Sequence, residues 1–127
     1  MKAWLALGIL VARAAAAAPD AARCQAGVQL AEHGDLPRAA LYLDGCEDLP
    51  EYAHAARDVR RKLEHSALST LDIETTPPGL VAEVDALPGE HVTTPATVWV
   101  RAGHHVVHVA RAGGPPLVAT VDVAAHA

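Results

Sequence analysis

Eight histidines and two cysteines supply the metal-ligating and redox-active side chains of this sequence. His91, His104 and His108 are the metal candidates. His104 and His108 share one face of a strand-like run, yet they lie about 13 Å apart along it. Ligands of one zinc must bring their nitrogens to about 2.1 Å from the metal, so the two cannot chelate without a bend. His91, in the preceding loop, could approach either from a neighbouring strand, which defines a competing reading as an extracytoplasmic metal-binding protein. Titratable surface histidines explain the same residues more simply. His105 faces the opposite way, and His126 sits near the end of the chain. Ser66 and Ser69 are the only serines, and neither lies in a Gly-x-Ser-x-Gly turn. No His-Glu-x-x-His pair, calcium loop or phosphate-cradling glycine pattern is present. Glu83 and Asp85 share a face and could pose as paired carboxylates, but a solvated outer face accounts for both. The expectation is a non-catalytic chain without a cofactor.

Cys24 and Cys46 form the strongest pair. They stand eleven residues either side of Asp35, where a helical hairpin turns. Antiparallel helices place equidistant residues opposite each other, so the thiols meet and, in an oxidising compartment, form a disulfide. There is no Cys-x-x-Cys to make a redox-active pair.

Three helices must position these cysteines. Asp20 and the alanines after it start the first, with Cys24, Val28 and Ala31 recurring on one face, and Gly34-Asp35 ends it. Asp35-Leu36-Pro37 begins the second, with aspartate as cap and proline in the first turn. Asp48-Leu49-Pro50-Glu51 is read as a third start of the same kind, Glu51 completing a capping box. That helix points Tyr52, Ala56, Val59 and Leu63 inward. Ala26-Gly27, Leu30, Gly34, Ala39, Leu43 and Cys46 resemble the spacing of a single tetratricopeptide-type hairpin. Stacked repeats need about three copies, so the likeness implies hairpin packing rather than a peptide groove.

From Leu71 onward the period changes from helical to two, with Pro-Gly, Thr-Pro and Ala-Gly corners. Leu71 and Ile73, then Leu80, Ala82 and Val84, then Val98 and Val100, then His105, Val107 and Val109, then Leu117, Ala119, Val121 and Val123 fall on inward faces. Trp99 has the outward parity; it either packs beneath the third helix or marks a contact surface, and the first is expected because the helices must bury their own face. The order Pro77-Pro78-Gly79-Leu80, Val84-Asp85, Thr94-Pro95, Val98, Val100, Gly103, His105, Val107 and Val109 resembles a PEGA domain over about Leu71 to Val123. Pro78, Leu80 and Ala86 depart from that family's glutamate, alanine and turn glycine. The resemblance implies a small extracytoplasmic β-sandwich with no catalytic apparatus, often attached to other modules.

Met1 to Ala18 reads as a secretory signal peptide: Lys2, an apolar run too short to span a bilayer, and small residues before a cleavage site near Ala17. Its removal leaves 8 basic against 15 acidic residues, a formal charge of −7. That balance, with Arg60-Arg61-Lys62 as the one basic run, argues against nucleic acid. The expected organisation is α+β: a leader over 1–18, a helical segment of about three helices over 19–67, and a PEGA-like antiparallel β-sandwich over 68–127. The expected role is structural or adaptor binding to an envelope protein or cell-wall component. The expected location is periplasmic or extracellular, with no stable membrane span after leader removal.

Overall fold

A computed structural model describes residues 20–125; the leader segment 1–18 and His126 lie outside them. The fold is α+β. Helices α1 (Ala21–Glu32), α2 (Leu36–Leu43) and α3 (Pro50–Glu64) precede six strands: β1 (Ser69–Ile73), β2 (Val81–Val84), β3 (Val92–Thr93), β4 (Ala96–Val100), β5 (Gly103–Val109) and β6 (Leu117–Val123).

The helix boundaries follow from local chemistry. Asp20 Oδ1 accepts from the Ala22 N–H at 2.9 Å, and Asp35 Oδ1 accepts from the Arg38 N–H at 3.3 Å. At the end of α1, Gly34 takes a φ of +83°, and the Asp35 and Gly34 N–H groups donate to Leu30 and Ala31 carbonyls. This is the Schellman closure, which favours glycine because other residues resist the left-handed region. The third start differs from expectation. Asp48 belongs to a 3-10 turn, Cys46–Asp48, and the cap of α3 is Leu49, without a side-chain hydrogen bond. The turn's closing bond, from the Leu49 N–H to the Cys46 carbonyl, leaves Leu49 extended. The helix therefore begins one residue later than the repeated Asp-Leu-Pro suggested.

Cys24 and Cys46 form a disulfide, with Cα atoms 6.0 Å apart and both residues buried. Cys46 reaches Cys24 from the 3-10 turn rather than from α2 itself. Beneath the bridge, α1 and α2 touch at Gly27, where an added Cβ would lie 2.7 Å from Leu43 Cγ and 3.1 Å from Tyr42 Cβ. Leu43 is 2% exposed and has nowhere to retreat. Gly27→Val is accordingly expected to destabilise by about 1–3 kcal/mol through overpacking, read as a lower urea midpoint with an unchanged slope.

The strands form two antiparallel sheets, β1–β4 and β3–β2–β5–β6. Leu71, Ile73, Val98 and Val100 from the first meet Ala82, Val84, Val107 and Val109 from the second in one core. The parity of β1, β2, β4 and β5 is as the sequence implies. On β6 it is only half realised: Leu117 is 46% exposed and Ala119 is also exposed, while Val121 and Val123 are partly covered. A two-stranded sheet cannot roof a four-stranded one, and β6 is the far edge, so the sandwich stays open there. The corner before β4 is held by Thr94, which is 3% exposed. Its Oγ1 accepts from the Gly79 and Leu80 N–H groups at 3.2 and 3.0 Å and shares a hydrogen bond with the Thr75 hydroxyl.

The helical and strand halves interlock. Leu41 of α2 packs on the strand core, while Leu68 and Trp99 pack on the helical core. Arg38 Nε donates to Glu90 Oε2 at 3.2 Å, Arg38 Nη2 donates to the Pro88 carbonyl at 2.9 Å, and the Tyr42 hydroxyl donates to Glu90 Oε1 at 3.0 Å. Both partners lie in the segment between β2 and β4, which carries no recognisable pattern in the sequence.

Candidate functional site: a cleft between helices and strands

The three candidate metal histidines do not converge. His104 Nδ1 is 3.0 Å from Asp122 Oδ1 on β6, and His91 Nε2 is 4.0 Å from Glu83 Oε1. His108 stands opposite Glu83 across the β2–β5 pair. Among the described residues, no group of three or more histidine, cysteine, aspartate or glutamate side chains is placed to hold a metal ion. Of the three, only His104 is held by a carboxylate on the adjacent strand, Asp122.

Glu83 and Asp85 do not act as a pair either. Strand β2 ends at Val84, and the Asp85 side chain turns to His105. His105 Nδ1 lies 2.9 Å from Asp85 Oδ1, and its Nε2 lies 2.7 Å from the Arg101 carbonyl oxygen. Both neighbours are acceptors, so the arrangement favours the imidazole form that donates from both ring nitrogens, the cation. The hydrogen bond to the Arg101 carbonyl raises the His105 pKa, burial opposes it, and the Asp85 hydrogen bond and charge add to the rise. For Asp85, burial pushes upward, but the His105 and Val106 hydrogen bonds outweigh it and the pKa falls. The histidine's contribution to stability is complete below its ordinary value of 6.5 and fades as pH climbs through the raised folded value. The aspartate's contribution is present above 3.8 and fades as pH drops through the lowered one. The pair therefore stabilises most in mildly acidic solution. The thermal midpoint is expected to decline from about pH 6 to pH 8.5, with a shallower decline in His105→Gln; equal slopes would contradict a charged His105.

The convergence that sequence reasoning missed lies elsewhere. A cavity of about 720 Å³ opens between the helical layer and the outer face of β1–β4, within the roughly 300–1,000 Å³ usual for ligand sites. Its floor is two cross-strand pairs, Thr70 with Trp99 and Asp72 with Thr97. Ala40 and Leu41 of α2, with Val92 and Ala96, form the partly exposed apolar wall, backed by buried Leu43, Val59 and Leu63. Around the opening stand Asp44, Glu47, Glu64 and Glu74, together with Arg23 and Arg60.

The two cations are already engaged. Arg60 pairs with Glu47. Arg23 stacks over the Tyr42 ring, its Cζ 4.3 Å from the centroid, and donates from Nη2 to the Leu41 carbonyl at 3.3 Å. Asp72 accepts a hydrogen bond from the Thr97 hydroxyl at 2.7 Å. Among the described residues, no ion pair or side-chain hydrogen bond engages Asp44, Glu64 or Glu74. With five carboxylates against two arginines and His91 in its lining, the cleft carries an excess of acidic groups around an apolar wall. The signal for it in the sequence was faint: outward Asp72 and Glu74 on one strand, and outward Trp99 on its partner.

Among the described residues, no helix is long and apolar enough to cross a membrane. No family model matches the chain, and no curated protein or solved structure matches it.

Proposed function

We propose that the chain is an exported, non-catalytic adaptor of the cell envelope, whose PEGA-like strand half carries a disulfide-clamped helical hairpin and binds a partner between the two. The observation that carries this reading is the cleft over Trp99, where elements from both halves frame a concave, partly apolar surface. Two further features support it. The buried Cys24–Cys46 bridge suits an oxidising compartment. The residues that carry the PEGA resemblance also hold structural posts: Thr94 organises the corner before β4, Gly103 starts β5 at a φ of +127°, and His105 ties β5 to the end of β2.

Expression of the full chain with a carboxyl-terminal tag, followed by fractionation, mass measurement and thiol trapping, tests the reading. The expected product is extracytoplasmic, shortened by the leader over residues 1–18, and has both cysteines oxidised. A full-length cytoplasmic product with free thiols would overturn it.

A further inference from the structure

We infer that the cleft between the helices and β1–β4 takes a basic, amphipathic peptide segment, with aliphatic side chains against the apolar wall and lysine or arginine at the acidic rim. The inference rests on the adaptor reading and specifies the partner of that same site. The charge argument comes from what is left unanswered at the rim. Arg60 is matched by Glu47 and Arg23 is spent on the Tyr42 ring and a carbonyl, whereas Asp44, Glu64 and Glu74 line the opening with no side-chain partner among the described residues. A cationic partner satisfies them; an anionic one meets like charge that costs affinity and selects against it.

Spacing adds a second constraint. Asp72 lies on the outward face of β1, and Glu74 follows two residues on, just past the strand's end, where a continued extended chain sets the two about 7 Å apart. An extended peptide presents its own alternate side chains at that same interval. Basic residues at alternate positions therefore fall in step with these carboxylates. The intervening side chains of the segment then point the other way, toward the partly exposed Ala40 and Leu41 on the helical side. Trp99, which is half-buried in the floor, supplies an aromatic face for a lysine or arginine stem and its charge.

Calorimetric titration of the oxidised full chain with a short peptide alternating lysine and leucine tests this, with its glutamate–leucine counterpart as the comparison. The expected result is saturable binding of the basic peptide alone, weakened by added salt. Affinity should fall at least about tenfold in Glu64→Lys combined with Glu74→Lys. Both positions are exposed, so the double variant should keep the parent circular dichroism spectrum. Equal binding of both peptides, binding of neither, or unchanged affinity in the double variant overturns the inference. A peptide-independent dimer in sedimentation, lost in the same variant, would place a second copy in the cleft and overturn it too. A chain that is exported and oxidised yet ignores the basic peptide refutes this inference and leaves the adaptor reading standing.

Discussion

Replacing Cys24 and Cys46 together by serine is expected to lower stability by about 3 kcal/mol, within a usual range of roughly 2–5 kcal/mol for native bridges. The bridge closes a loop with a sequence separation of 22. Opening it returns conformational freedom to the unfolded chain, and the chain-entropy relation for that loop length gives the quoted figure. The substitution also places two hydroxyls where the sulfurs are now 0% and 1% exposed as residues, and buried hydroxyls need partners. Small domains have only about 5–15 kcal/mol in hand, so the loss is a large share. Urea unfolding of oxidised parent and double variant measures it. The account expects a midpoint lower by about 1–3 M at typical slopes; coincident curves would mean that the hairpin does not depend on its clamp.

The second large effect is expected at Leu63. It is 0% exposed and sits in the helical core near the carboxyl end of α3, where that helix also lines the cleft. Leu63→Ala removes a packed side chain from a layer whose other buried members are small or medium: Cys24, Ala39, Leu43, Cys46, Ala56 and Val59. Losing that side chain leaves a cavity in the layer, so the expected cost is roughly 2–5 kcal/mol. Truncation of Val118, which is 59% exposed, provides the control and should leave the midpoint nearly unchanged. A similar shift for both would show that the helical core is not packed as described.

Much of this fold is legible locally. Period-two alternation places Leu71, Ile73, Val84, Val98, Val107 and Val109 on their faces because neighbouring residues alone set strand parity. Asp20 and Asp35 announce helix starts through their own side chains, and the cysteine pair follows from symmetry about the hairpin turn. What escapes is nonlocal. Asp48 fails as a cap because the disulfide-bearing turn consumes it. Leu117 and Ala119 have core parity but no roof, which depends on the width of the opposite sheet. Glu90 meets Arg38 and Tyr42 across 52 and 48 residues of sequence, and no periodicity within that loop signals it. The cleft is the strongest case. Its lining comes from all three helices, the 3-10 turn and strands β1, β3 and β4, and outward Trp99 and Asp72 acquire meaning only once the helices are seated above them.

Everything about the cleft depends on the helical hairpin and the strands folding as one body over Trp99. Trp4 and Trp99 are the only tryptophans, so Trp4→Phe leaves Trp99 as the sole indole reporter. Unfolding of this oxidised chain, followed in parallel by Trp99 fluorescence and far-ultraviolet circular dichroism of the helices, tests that dependence most directly. The account predicts one shared transition by both probes, moving together when the disulfide is reduced. Helices that melt while Trp99 keeps its native emission would contradict it.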